Sequence, residues 1–105
     1  MMASKLYVEA VAYLPEGERR LIVRGQTAKA LIALVAGGDH GATALEVSTW
    51  ALRFAAYCHF LRRDFGLSIR TKREEHPGGW HGRHVLETPV RLLLVADPEQ
   101  EATAA

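Results

Sequence analysis

Residues 43–86 have the sequence TALEVSTWALRFAAYCHFLRRDFGLSIRTKREEHPGGWHGRHVL, and this stretch decides the fold. Thr43 and Glu46 have the spacing of a capping box, in which each end of the pair satisfies a backbone N–H at a helix start. A very short helix is therefore predicted to begin at Thr43. Ser48 and Thr49 offer another helix cap a few residues later, which predicts a second and longer helix.

The longer helix is predicted to run to about residue 65. Apolar residues recur along it at the spacing of one helix face, and they are Phe54, Cys58, Leu61 and Phe65. Gly66 follows and ends the helix, because glycine takes the left-handed conformation at a helix end without steric cost.

An earlier helix precedes these two. Thr27 is the predicted N-cap of a helix through Val35, and Gly37-Gly38-Asp39 ends it. Residues 40–42 are predicted to be a connector. A first helix, a very short second one and a longer third one together form a helix-turn-helix unit.

A β-hairpin is predicted directly after the third helix. Residues 67–73 alternate as a strand and residues 83–87 form the returning strand. Residues 74–82 between them are polar and contain Pro77-Gly78-Gly79, which predicts a long, glycine-rich tip. Such an appendage to a helix-turn-helix is a wing.

Strands are also predicted at both ends of the chain. Residues 6–13 and 20–24 flank turn residues 14–18 and predict an N-terminal β-hairpin. Residues 90–95 are continuously apolar, which predicts a strand buried on both faces, beside the N-terminal strands or in a homodimer interface. The predicted class is therefore α+β, with one domain over residues 1–96. Residues 97–105 are predicted to be an acidic, flexible tail.

Residues 27–87 resemble the small winged helix-turn-helix domains that are common in phage and prophage proteins. The residues that carry the resemblance are Thr43-Ala44-Leu45-Glu46, Leu61-Arg62, Gly66-Leu67-Ser68-Ile69 and the wing return His84-Val85-Leu86. One extra residue before Gly66 and the N-terminal hairpin depart from the family pattern. The resemblance implies double-stranded DNA binding by a phage- or prophage-derived regulator or accessory factor.

The composition is that of one globular domain and excludes several classes. The chain has 105 residues, of which 49% are hydrophobic and 24% charged. The lone Cys58 excludes an internal disulfide and a metal site built on paired cysteines. The longest apolar run, residues 30–36, is far shorter than the roughly 18 residues of a membrane span. The N-terminus has no signal-peptide pattern, so cytoplasm is the expected location.

The net charge of +1 hides a segregated distribution. Seven basic residues lie between residues 53 and 83 against three acidic ones, which gives this segment +4 and the rest of the chain −3. Three of the five histidines lie in the same segment, and His84 follows it directly. A basic segment can attract an anionic partner even when the whole protein is nearly neutral.

The third helix supplies the first candidate DNA contacts. Arg53, in its N-terminal part, is the candidate for bidentate contact with guanine in the major groove, against the alternative of a solvated arginine. Thr49 either contacts phosphate or only caps the helix. Arg62 and Arg63 either contact phosphate or stabilise the helix C-terminus through its dipole.

The wing supplies the others. Its basic residues are candidates for contact with phosphate or the minor groove, and they are Arg70, Lys72, Arg73 and Arg83. The alternative is a solvated hairpin with cross-strand pairs between arginine and glutamate. Trp80 either stacks on nucleic acid or folds back over the hairpin, and the fold-back is favoured.

Other functions have weaker support. The spacing of His76, His81 and His84 matches no common zinc pattern. Cys58 and His59 diverge on a helix and cannot act as nucleophile and base. We therefore expect no enzyme, no metal and no cofactor. The alternative to DNA binding is a protein–protein interaction adaptor or a phage assembly or packaging component, motivated by Phe60 and the apolar C-terminal strand.

Overall fold

The computed structural model describes residues 6–43 and 53–96, and it confirms the α+β class. The predicted short second helix and the caps Ser48 and Thr49 lie outside these residues. The described elements, in chain order, are β1 (Tyr7–Leu14), β2 (Gly17–Arg24), α1 (Gly25–Gly37), a single 3-10 turn (Gly38–His40), β3 (Ala42–Thr43), α2 (Phe54–Phe65), β4 (Ile69–His76), β5 (Gly79–Leu86) and β6 (Val90–Ala96).

The strands form two antiparallel sheets of three strands each. The terminal sheet has the order β2-β1-β6, and the wing sheet has the order β3-β5-β4. In β1, every second residue faces the core because side chains alternate along a strand, and Val8, Ala10 and Ala12 are fully buried. The intervening residues form the outer face of the terminal sheet.

The two helices pack against each other and supply most of the remaining core. Leu31 and Leu34 of α1 and Phe54, Cys58 and Leu61 of α2 have no exposed surface. Three of the four residues of the predicted apolar stripe of the third helix are thus buried, and the fourth, Phe65, is half-buried. Burial raises the pKa of the Cys58 thiol to about 12, so this cysteine stays protonated and unreactive. Neither described helix is long and apolar enough to cross a membrane.

The predicted starts of the two described helices need correction. Helix α1 begins at Gly25 rather than after Thr27, because the Gly25 amide donates to the Leu6 carbonyl oxygen (2.9 Å) and the chain turns directly from strand into helix. No side chain caps it. Helix α2 begins at Phe54, and Arg53 precedes it as the N-cap with φ −110° and ψ 22°. Its predicted end is confirmed, since Gly66 is left-handed (φ 71°).

Strand β3 includes Ala42, the last residue of the predicted connector, and Thr43, the predicted start of the short helix. Ala42 pairs with His84 and Thr43 with Arg83, so β3 adds a third strand to the wing hairpin. Two residues are too short to show an alternating pattern in the sequence. Gly41 allows the close approach, because it has φ 74° and a Cβ there would collide with the carbonyl oxygen of His84 and lie 2.8 Å from Val85 Cγ2.

The wing is longer and its tip tighter than predicted. Strands β4 and β5 pair as far as His76 and Gly79, so the tip is only Pro77-Gly78 instead of a nine-residue loop. Gly78 and Gly79 have φ values of 93° and 151°, which a two-residue hairpin turn accommodates. The polar residues that favoured a loop pair across the strands, as the contact between His81 and Glu74 shows.

The C-terminal strand lies beside β1, which agrees with the predicted place beside the N-terminal strands. The prediction that it is buried on both faces was wrong. β6 is an edge strand, and Leu93, Leu94 and Val95 are 38%, 45% and 47% exposed. The register with β1 shifts between Glu9 and Ala10, which leaves Leu93 as the extra residue of a β-bulge. A continuous apolar run cannot distinguish a central strand from an edge strand.

Candidate nucleic-acid interface

Helix α2 is joined to the wing sheet by Arg62. The Arg62 guanidinium donates from Nε (3.0 Å) and Nη2 (2.7 Å) to the carbonyl oxygen of Ile69, and from Nη2 to Thr71 Oγ1 (3.0 Å). Both acceptors belong to β4. The charged end of Arg62, a predicted phosphate contact, is therefore engaged within the fold and connects α2 to the wing.

The same contact continues to a buried histidine. Thr71 Oγ1 lies 2.9 Å from His84 Nδ1. Because Arg62 can only donate, the Thr71 hydroxyl accepts from it and keeps its own proton free to donate to Nδ1 of a neutral His84. The edge of the Phe54 ring packs on this imidazole at 5.3 Å between centroids. Burial, aided by the charge of Arg62, lowers the pKa of His84.

Arg83 is also engaged within the fold. Its side chain is 14% exposed, and its Nε donates to Glu74 Oε2 at 2.7 Å. Its Nη1 donates to His40 Nε2 at 3.0 Å, which connects the wing to the turn after α1. Hydrogen bonds from Arg83 and from His81 lower the pKa of Glu74 to about 2. The guanidinium of this second predicted phosphate contact is thus engaged by Glu74 and His40 of the same chain.

Along α2, two half-buried aromatic side chains lie between two exposed arginines. The Arg53 guanidinium lies 6.0 Å from the Tyr57 ring centroid, and Tyr57 lies 6.5 Å from Phe60. Arg63 lies 5.1 Å from the Phe60 ring and donates to both Asp64 oxygens (2.8 and 3.1 Å). Arg53 and Arg63 are exposed.

The wing carries an exposed stacked pair near its tip. The Arg73 guanidinium lies 4.7 Å from the Trp80 ring, and Trp80 is 56% exposed. Trp80 is opposite Glu75 near the tip, and its ring lies against Arg73 of the neighbouring strand while more than half of its surface stays exposed. Arg73 and Trp80 share a sheet face with Thr71 and His84, since residues two apart point the same way.

That shared face is the one that α2 contacts. Thr71 accepts from Arg62, and His84 packs on Phe54. The stacked pair of Arg73 and Trp80 therefore extends the wing on the side of α2. The remaining wing cations lie on the opposite face of the hairpin, where Lys72 is exposed and Arg70 lies 3.6 Å from Glu87.

His59 and Ala55 are exposed on α2 and were not selected from the sequence as contacts. They are four residues apart on a helix face that does not include Phe54, Cys58 and Leu61, and this spacing was the available sequence signal. Thr49 lies outside the described residues. Within residues 6–43 and 53–96, no three His, Cys, Asp or Glu side chains are arranged to hold a metal ion.

Comparison with known proteins agrees with this architecture. A family model described as a winged helix domain matches residues 20–96, which is more than half of the chain. The match includes β3, α2 and both long strands of the wing sheet. Searches of curated proteins and of solved structures gave no match.

Proposed function

Because the chain belongs to the winged helix family, we propose that it binds double-stranded DNA, with α2 in the major groove and the wing on the backbone. The likeness of residues 27–87 to phage and prophage domains supports a regulator or accessory factor rather than an enzyme. The proposal takes double-stranded DNA as the partner and the cytoplasm as the location. It requires no cofactor.

The proposal rests on the division of the arginines of α2 and the wing into two groups, one engaged within the fold and one exposed. Arg62 and Arg83 are engaged by partners inside the fold and hold the wing in place. Arg53, Arg63 and Arg73 remain at the surface. The fold thus fixes the angle between helix and wing with one set of arginines and leaves another set exposed for phosphate or bases.

On α2, the proposed contacts begin at its N-terminal end. In helix-turn-helix proteins this end of the recognition helix reaches base edges, and Arg53 stands there as the N-cap residue. Ala55, on the exposed side, has a side chain short enough to let the helix approach the groove closely. Arg63 is three turns further along and is proposed to meet phosphate, where DNA competes with Asp64 for its guanidinium.

On the wing, the proposed contact is the stacked pair. The ring of Trp80 restrains the Arg73 guanidinium, so less conformational freedom is lost when Arg73 meets phosphate or enters the minor groove. Arg70 and Lys72 are on the other face and are proposed to contribute to the long-range attraction for DNA more than to direct contact.

The proposal is tested by fluorescence anisotropy of a labelled duplex over a salt series. Arg73→Gln is expected to weaken binding and to reduce the slope of log affinity against log salt by about 1, the value for one lost phosphate contact. Lys72→Gln is the matched control, because it removes the same charge one residue away on the opposite face. It is expected to change the slope by less than half as much.

Two outcomes would contradict the proposal. If the unmodified protein binds no duplex at low salt, DNA binding is wrong, and the protein-interaction alternative takes its place. If Lys72→Gln and Arg73→Gln weaken binding equally, the face of the wing is assigned wrongly, because attraction to total charge would then explain both.

A further inference from the structure

The two edges of the terminal sheet differ in charge. The edge strand β2 carries Glu18, Arg19, Arg20 and Arg24, whereas the edge strand β6 carries only Arg91. An exposed edge presents unpaired backbone N–H and C=O groups, and proteins protect such edges with charged side chains. The β2 edge has this protection. The β6 edge lacks it over its last five residues, 92–96.

Strand β6 also exposes apolar side chains on both faces of the sheet. Leu94 pairs with Glu9 and lies on the outer face, whereas Val95 pairs with Val8 and lies on the core-side face. They are 45% and 47% exposed. A partner resting on one face would cover only one of them. A partner strand added to the edge brings side chains alongside both.

We propose that a second copy of this chain binds here, with β6 pairing antiparallel to the partner's β6 in a continuous six-stranded sheet. An antiparallel strand is self-complementary about a two-fold axis, so one surface serves both copies. With the axis at Leu94, Leu93 faces the partner's Val95. The bulge residue, which has no partner on β1, thus gains an apolar neighbour.

The charges favour this pairing over the other edge. With the axis at Leu94, the two Arg91 residues lie at opposite ends of the paired strands, roughly 20 Å apart at about 3.3 Å per residue. Pairing of β6 with the partner's β2 would instead place the apolar strand against Glu18 and the arginines. Such a contact joins two different edges, so every added copy would leave a free edge for the next copy, and the assembly would not stop at a defined size. The two-fold pairing leaves both charged β2 edges outward and stops at two copies.

The dimer is tested by sedimentation velocity of the full chain between about 1 and 200 µM, a range that covers micromolar dissociation constants. The expected species has twice the 11.6 kDa mass of the chain. Leu94→Lys is expected to raise the dissociation constant at least about tenfold, because each copy would then place a lysine at the two-fold axis.

Ile22→Lys is the matched control. Ile22 is 48% exposed and pairs with Glu9 from the β2 side, so Ile22 and Leu94 flank the same residue on the same face. It is expected to leave the dimer intact. Circular dichroism checks that both variants fold, and if Leu94→Lys unfolds, Val95→Lys replaces it with the same expectation.

Hydrogen exchange gives an independent readout. Amides of β6 are expected to exchange more slowly at high than at low protein concentration, while those of β2 stay unchanged. A protein that stays monomeric at every concentration would overturn the proposal. This includes a monomer in which another part of the same chain protects the β6 amides. Equal dissociation by Ile22→Lys and Leu94→Lys would also overturn it, because that result indicates stacking of outer faces. None of these readouts involves DNA.

Discussion

Replacement of Arg62 by methionine is expected to destabilise the protein, whereas the same change at its neighbour Arg63 is not. Methionine keeps an unbranched apolar stem of similar reach and removes the guanidinium. Arg62 loses its contacts with Ile69 and Thr71. Arg63 loses contacts with the adjacent Asp64 and with the Phe60 ring, and its own side chain is exposed. The pair thus compares a connecting arginine with a solvated one at adjacent positions.

The size of the effect follows from the contacts. A hydrogen bond from a charged donor contributes about 1.5–3 kcal/mol. Nε and Nη2 of Arg62 share one acceptor, the Ile69 carbonyl oxygen, and together count as one such bond. The contact with Thr71 is more exposed and adds less. The expected loss is therefore about 2–3 kcal/mol, which lowers the Tm of a domain this size by about 10 °C or more.

Thermal unfolding followed by circular dichroism measures this loss, with urea unfolding as a second estimate. Arg63→Met is expected to leave Tm unchanged within error, because an exposed pair of this kind contributes little. Equal Tm values for Arg62→Met and the unmodified protein would refute the inference that this residue holds the wing to α2. Equal losses in both variants would refute it as well.

Two further predictions concern the wing base. Because the folded pKa of His84 lies below its ordinary value of 6.5, the stabilisation from neutral His84 is complete above pH 6.5 and is lost as the pH falls from there towards the folded pKa. The free energy of unfolding of His84→Gln, measured across this range, should depend less on pH than that of the unmodified protein. An NMR titration that gives a His84 pKa above 6.5 would contradict the lowered pKa. Gly41→Ala is expected to cost several kcal/mol in urea unfolding because the new Cβ meets β5, whereas Gly38→Ala (φ 53°, open space) costs about 1–2 kcal/mol from backbone strain alone. Similar losses at the two glycines would show that β5 moves away from Gly41.

The candidate site was only partly predictable from sequence. The basic segment of residues 53–83 is visible in the sequence as a charge pattern, and it contains the arginines of α2 and the wing. It did not separate Arg62 and Arg83 from Arg63 and Arg73. These four residues have the same chemistry, and which carbonyl or carboxylate lies beside each one depends on elements that are distant in the chain.

The sequence by itself determined the local structure of this protein. Alternation in residues 6–13, the apolar spacing from Phe54 to Leu61 and the glycine at 66 depend on side-chain periodicity and backbone freedom, which act over a few residues. Only the tertiary structure decided the rest. Strand β3 exists because β5 lies beside it, and β6 is exposed because nothing in the described residues flanks its outer edge. Pairing partners and burial are set by long-range contacts that local patterns do not contain.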